Sequence, residues 1–169
     1  MGAPLSGPEP LAAHHDTSAF DCGHPALNAH LTRFALVNQA GGAARTYVAL
    51  RGARVVGYYN LAAASAEPQH TPPRVSKGLA RHAIPLTLLA RLAVDRSEQG
   101  AGLGEALLKD AIKRHLQAER IIASRALLVH AKDERAAAFY KRYGFQPSPT
   151  DPFHLYLLTK DMKKTLGIR

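Results

Sequence analysis

The chain has one cysteine, Cys22, in 169 residues, which excludes an intrachain disulfide and fits a reducing compartment. It lacks any apolar run near the ~18 residues that a bilayer-spanning helix needs. Its first ten residues lack the basic start and apolar core of a secretion signal and are rich in Pro and Gly instead. A cytoplasmic protein is the expectation. There is no internal repeat, and no linker divides the chain, so a single domain over residues 1–169 is expected. Acids are scarce too: 13 Asp and Glu stand against 22 Lys and Arg, a formal charge of +9. The imbalance is uneven, because residues 1–44 hold one base, Arg33, and three acids. A domain this basic attracts phosphate, whether on a small cofactor or on nucleic acid, and charge alone does not choose between them.

What is present is globular in composition, with 46% apolar and 21% charged residues. Pro25 opens a helix in which Leu27, Leu31 and Phe34 recur at helical spacing, widened by Ala35 and Leu36, and Gly41-Gly42 ends it. Thr46 to Leu50 and Val55 to Leu61 read as two strands of a hairpin turning at Arg51-Gly52-Ala53-Arg54. Residues 64–85 hold Pro68, Pro72, Pro73 and Pro85 among basic side chains, a long loop of functional type with a short helix near Ser76 to Arg81. A strand from Thr87 to Val94 follows, then a helix from about Leu103 to Ala118 with Leu107, Ala111, Ile112 and Leu116 on one face. Ala126 to His130 reads as a buried strand and Asp133 to Arg142 as a helix with Gly144 just past its end. Phe153 to Leu158 supplies a last strand before a basic tail. The order predicts one mixed α/β domain.

The strongest local signal is the turn Gln99-Gly100-Ala101-Gly102-Leu103-Gly104 between a strand and a helix. Alternating glycines let backbone approach a ligand, and a helix start offers free N–H groups and partial positive charge, which together cradle phosphate. Glu105 stands where a nucleotide-binding P-loop needs lysine and where the dinucleotide fingerprint needs its third glycine, so both are set aside.

Gln99-x-x-Gly102-x-Gly104 after a strand resembles the acetyl-CoA pyrophosphate motif of the GCN5-related N-acetyltransferases (GNAT). Ala136-Ala137-Ala138-Phe139-Tyr140-Lys141-Arg142-Tyr143-Gly144-Phe145 is similar to that family's second signature, a helix whose tyrosine faces the cofactor thiol. The two motifs cover a core of about residues 45–160. The resemblance implies a mixed sheet splayed between the Thr87–Val94 and Ala126–His130 strands, with the pantetheine arm of acetyl-CoA in the gap. It narrows further. Phe20-Asp21-Cys22-Gly23, Arg45-Thr46-Tyr47-Val48, Val56-Gly57-Tyr58-Tyr59, Leu89 to Asp95 and Phe145-Gln146-Pro147-Ser148 resemble the TacT-type GNAT toxins of type II toxin–antitoxin systems. That group acetylates the free α-amine of aminoacyl-tRNA, which blocks translation, and pairs with a ribbon-helix-helix antitoxin; its members suggest a homodimer.

The resemblance assigns acetyl-CoA to Leu92, Ala93, Val94, Gln99 through Gly104, Asp133, Ala137 and Tyr140, with the backbone N–H of Val94 as the oxyanion contact. Tyr140 is the expected proton donor, since a phenol near pKa 10 stays protonated at neutral pH and can release its proton to a departing thiolate. Glu67, Glu98 and Asp133 are the nearest candidates for a base, but each reads equally as a solvated carboxylate, a helix-start charge or an N-cap. An α-amine near pKa 8 is partly neutral already, so the missing base favours that acceptor. Arg74, Lys77, Arg81, Arg91, Lys141 and Arg142 are the candidate contacts to tRNA phosphates. The nine histidines show no metal-ligand spacing, and no metal is expected. Two alternatives remain open: acetylation of small amines or protein N-termini, and a basic nucleic-acid-binding module with a vestigial cofactor site.

Overall fold

The alternation of Thr46, Val48 and Leu50, all buried, builds strand β2 (Arg45–Arg51), and Gly52 at φ +62° lets it turn into β3 (Arg54–Ala66). The hairpin pairs Arg51 with Arg54 and Arg45 with Leu61, and its register shifts between Ala49 and Leu50. The computed structural model describes residues 2–167; Met1, and Ile168 and Arg169 of the basic tail, lie outside the described residues. The remaining strands are β1 (Leu5–Pro10), β4 (Ile84–Val94), β5 (Ala126–His130), β6 (Gln146–Pro147) and β7 (His154–Leu158). Their order is β1-β2-β3-β4-β5-β7-β6. The β4–β5 pair is parallel, while β1–β2, β2–β3, β5–β7 and β6–β7 are antiparallel, so the sheet is mixed. The helices are α1 (Pro25–Ala29), α2 (Ala35–Ala40), α3 (Pro73–Ser76), α4 (Leu103–Ala118), α5 (Glu134–Arg142) and α6 (Met162–Leu166). The mixed α/β class expected from the sequence is the class observed. Among the described residues no helix is long and apolar enough to cross a membrane.

The chain divides into two compact units, Met1–Ala62 with Ala90–Ala111, and Ala63–Leu89 with Ile112–Arg169. In the first, Leu11, Phe20, Leu31, Val48, Val55, Tyr58 and Ala93 form the core. The start of α4 packs directly on β3 there. A methyl group added to Gly57 would stand 3.1 Å from Leu107 Cδ1 and 3.2 Å from Leu103 Cδ2, so glycine sets how closely helix and strand approach. In the second unit Val75, Ile84, Leu86, Ala126, Leu128, Tyr156 and Leu158 form the core. His115 is buried in that unit with both ring nitrogens hydrogen-bonded, to Thr87 and Thr159 at 3.0 and 2.9 Å, and burial lowers its pKa to about 4. It is a neutral structural group.

Several elements differ from the sequence reading. A π-helical turn, His30–Phe34, separates α1 from α2. Its wider turn shifts the helical phase, so Leu31 and Ala35 are buried while Phe34 and Leu36 face solvent. The expected stripe of Leu27, Leu31, Phe34, Ala35 and Leu36 is therefore split. The 64–85 loop is shortened from both ends by β3 and β4, and its helix lies at Pro73–Ser76 rather than Ser76 to Arg81. Pro73 fixes the φ of a first helical residue, Val75 enters the core, and the Arg125 guanidinium donates to the carbonyls of Val75, Arg74 and Lys77 at 2.8, 3.3 and 3.0 Å. β1, β6 and α6 were not expected as elements.

The tight seat of Gly57 gives a stability test. Gly57→Val should destabilise the protein by about 1–3 kcal/mol, the usual cost of overpacking, while leaving the urea m-value unchanged. An unchanged denaturation midpoint would show that α4 moves away freely.

Candidate active site

Strand β4 ends at Val94, and the next residues are held by side chains. Asp95 is buried, and its carboxylate accepts from the Asp21 N–H at 2.8 Å and from the Ser97 N–H and hydroxyl at 3.0 and 2.6 Å. Burial acts to raise its pKa, but the hydrogen bonds from Ser97 and Asp21, with the charge of Arg54, outweigh it and hold the carboxyl below its usual range. Asp95 thereby caps the 3-10 turn Arg96–Glu98. The Gln99 side-chain amide donates to the Val94 and Cys22 carbonyls at 2.9 and 3.1 Å. Gln99 thus holds the strand end to the start of the glycine turn through its side chain.

Beyond Gln99 the backbone turns at Gly100 (φ +84°) and Gly102 (φ +89°), a region side chains disfavour, and α4 begins at Leu103. No atom stands within 4 Å of the position a Cβ would take on either glycine. Glycine is required here by conformation, not crowding, and the space over the turn is open to a ligand. Leu103 and Leu107 anchor the helix in the core, so its first N–H groups are presented from a fixed base. The turn fits the pyrophosphate of acetyl-CoA: exposed backbone, an oriented helix start, and no side chain in the way.

The other candidate groups of this unit lie around the same strand. Leu92 and Val94 are half-buried and Ala93 is buried. Arg91 is half-buried; after burial, its charge is the second cause that lowers the pKa of His30 to about 4. His30 is therefore neutral, its Nε2 3.0 Å from the Asn60 amide nitrogen. Glu98 forms a paired contact to Arg51, at 3.1 and 2.9 Å, and hydrogen bonding to that guanidinium holds its carboxyl below the ordinary range. An ion-paired carboxylate of this kind is a poor general base.

In the second unit, the Asp133 carboxylate accepts from the Ala136 N–H at 2.8 Å and caps α5. Glu134 in the first turn and Lys141 and Arg142 in the last complement the helix dipole. Ala137 and Tyr140 face inward, and Tyr140 is 8% exposed. Its ring meets Phe139 and Phe145 edge-on, with centroids 5.2 and 5.4 Å away. Burial pushes its pKa well above the ordinary tyrosine value, so it remains a phenol across the neutral range. Its hydroxyl has no hydrogen-bond partner among the described residues. Tyr143 instead contacts Phe139 and the Arg142 guanidinium, a packing role. Glu67 is exposed ahead of the 3-10 turn Pro68–His70.

Of the basic candidates in this unit, Lys77, Arg81, Lys141 and Arg142 are exposed. Arg74 differs, since its guanidinium is bidentate to Asp161 at 2.7 and 3.0 Å. Sequence reasoning missed Asp95 and the Arg51–Glu98 pair. The first carried a legible signal, an Asp two residues ahead of a Ser after a strand; the second, 47 residues apart, did not.

Residues 42–147 match a family model described as an acetyltransferase (GNAT) domain. The chain is 45% identical over 162 residues to the tRNA-acetylating toxin of Mycobacterium tuberculosis, across 96% of this chain and 97% of that protein. Its structure is similar to AtaT complexed with acetyl-methionyl-tRNAfMet, with a TM-score of 0.87, 31% identity, and coverage of 96% of this chain and 98% of that one. It is also similar to a tyrosine-to-phenylalanine variant of AtaT bound to the C-terminus of the antitoxin AtaR and acetyl-CoA, at a TM-score of 0.82 and 31% identity over 97% and 99% of the two chains.

Asp95 makes stability pH-dependent. A folded pKa below the unfolded one, near 3.9, stabilises the protein above that unfolded value, and the gain is lost as pH falls through the folded pKa. Asp95→Asn should cost about 1.5–3 kcal/mol at pH 7, the range for hydrogen bonds to a charged group. The gap to the parent should narrow below pH ~4. Urea titrations at pH 7 and pH 3 giving the same gap would overturn this account.

Proposed function

The chain belongs to the GNAT acetyltransferase family, and from that premise we propose that it is a toxin that acetylates the α-amine of aminoacyl-tRNA and blocks translation. The observation that carries this reading is the 45% identity, along 96% of the chain, to a protein named for acetylating tRNA. The similarity to AtaT, solved with an acetylated methionyl-tRNA, supports it from the side of structure. The chain is an acetyl-CoA-dependent N-acetyltransferase, and acetyl-CoA supplies the activated acetyl group.

Leu92, Ala93 and Val94 offer strand-edge backbone to the acyl arm, with the Val94 N–H as oxyanion donor. Gly100, Ala101, Gly102, Leu103 and Gly104 hold the pyrophosphate through backbone N–H groups, and Gln99 fixes where that turn starts. Ala137 leaves room beside the cofactor, and Asp133 orients the helix that carries Tyr140. Tyr140 donates the proton that the leaving sulfur needs, from a hydroxyl that burial keeps neutral. An acceptor α-amine near pKa 8 needs no strong base, which agrees with Glu98 and Asp133 being engaged elsewhere. Arg91, Lys77, Arg81, Lys141 and Arg142 meet tRNA phosphates, while Arg74 is committed to Asp161. The two units work as one domain with its core at about residues 45–160. The protein acts in the cytoplasm, as a homodimer, and is neutralised by a ribbon-helix-helix antitoxin; AtaT bound to AtaR supports the antitoxin part.

Purified protein with acetyl-CoA and charged tRNA should transfer acetyl to the amino acid, detected by mass spectrometry after RNase digestion. If every aminoacyl-tRNA stays unmodified while small amines turn over, the toxin reading is wrong. Tyr140→Phe should lower kcat by about 10²–10⁴, the range for a lost general acid, with little change in KM for acetyl-CoA, and should relieve growth arrest on induction. The reverse split is expected for Gly102→Ala, where forcing a side chain to φ +89° should raise KM for acetyl-CoA by roughly tenfold, from a cost of about 1–2 kcal/mol.

A further inference from the structure

A cleft of about 550 Å³ opens in the second unit, between the end of α5 and the face of α6. Its construction is specific. Gly144 (φ +96°) ends α5, and a Cβ there would stand 3.3 Å from Thr165 Oγ1 and 3.5 Å from Leu157. The Thr165 hydroxyl donates to the Tyr143 carbonyl at 2.8 Å, which pins α6 to the end of α5. Tyr143 lines the cleft, and Leu157 is buried beneath it. One wall is the Arg74–Asp161 pair, whose charges cancel. Arg142 and Lys164 also line the cleft and both are exposed; neither makes a close ion pair among the described residues, although the charge of Lys164 helps hold the Asp161 carboxyl below its ordinary range. The Arg142 guanidinium carbon stands 5.7 Å from the centroid of the Tyr143 ring.

Three cations against one carboxylate, beside the Tyr143 ring and in a space the size of a small-ligand pocket, match one nucleotide of an RNA chain. The phosphodiester would sit between Arg142 and Lys164, with the sugar or base against Tyr143. We propose that this cleft is a nucleotide-binding subsite for the RNA backbone of the substrate, distinct from recognition of the reacting amine. The proposal rests on the aminoacyl-tRNA reading above. It adds Lys164 to the substrate contacts and makes Arg74 a wall of the site, not a ligand.

The test compares Arg142→Ala, Lys164→Ala and the double variant with Lys163→Ala, which removes the same charge one residue outside the cleft. Each cleft variant should raise KM for aminoacyl-tRNA about tenfold, the loss of one charge-assisted contact. Each should also reduce the slope of log affinity against log salt by about 1. Lys163→Ala should change neither. The loss on full-length aminoacyl-tRNA should exceed that on an aminoacyl ester of adenosine at least severalfold. Equal losses on both substrates, an unchanged salt slope, or a rise confined to KM for acetyl-CoA would each overturn the subsite; the last would assign the cleft to the coenzyme's own phosphate. Direct binding of uncharged tRNA separates the two readings. If the parent protein acetylates no tRNA yet binds it with a salt slope that the cleft variants reduce, the subsite stands and the activity reading falls. Absence of salt-dependent tRNA binding by the parent protein sinks both.

Discussion

The chemistry of this protein depends on one backbone constraint: the chain must leave β4 at a fixed point and turn at once into a helix. Two side chains impose it. Gln99 reaches back to the Val94 carbonyl, and Asp95 gathers amides from Asp21 and Ser97. Each replaces a hydrogen bond that regular structure no longer supplies at the strand end, and a buried group left unpaired there would cost about 1–3 kcal/mol. The glycine turn can therefore be open to solvent without being loose. Its two positive-φ residues follow a clamped strand end and precede a helix anchored by Leu103 and Leu107. The conformation that glycine alone adopts readily is held by the elements on either side of it.

Tyr140 is placed by a different physical means. Aromatic packing does what hydrogen bonds do at the strand end. Phe139 and Phe145 meet the ring edge-on, and the helix that carries it is capped by Asp133 and ended by Gly144. The hydroxyl has no protein partner among the described residues and is not one of the buried unsatisfied atoms, so it is open to a ligand or water. The same burial that holds the ring keeps the phenol protonated. Positioning and protonation state thus come from one cause. A tyrosine held by a charged partner would not have both.

How much of this was legible depends on whether the signal was local. Strand β5 and helix α4 were read with their observed bounds, because an apolar run, or a 3.6-residue stripe that starts at a glycine turn, is a local pattern. The place of the glycine turn between strand and helix was legible for the same reason, whereas Tyr140 was singled out by the resemblance of its helix to a family signature. The π-helical turn was not, since His30 to Phe34 carries ordinary helical spacing and only the tertiary fit of Leu31 and Ala35 selects the extra residue per turn. β1 was hidden by Pro8 and Pro10, which an edge strand tolerates and a central one does not. The status of Arg74 was equally out of reach. Its partner is Asp161, 87 residues away, and nothing in the sequence distinguishes an arginine in an ion pair from one free for RNA.

The scarcity of acids and the absence of an assignable base have the same origin. Of the few carboxylates, Asp95 and Asp133 cap turns, Glu98 and Asp161 hold arginines, Glu105 faces Lys109, and Asp110 accepts from the Tyr59 hydroxyl. Each has a structural task that requires it to be ionised or hydrogen-bonded where it stands. A general base must instead be free to take a proton and be tuned toward neutral pH, while Asp95, Glu98 and Asp161 are all held below the ordinary carboxyl range. Such a protein can still acetylate an amine that loses its own proton near neutrality, and is poorly equipped for one that holds it to pH ~10, as a lysine does. The same allocation sets 22 bases against 13 acids, so that cations such as Arg142 make no close ion pair among the described residues. The missing base and the free positive charge are two consequences of one distribution of acids, and both point to an α-amine carried on a polyanion.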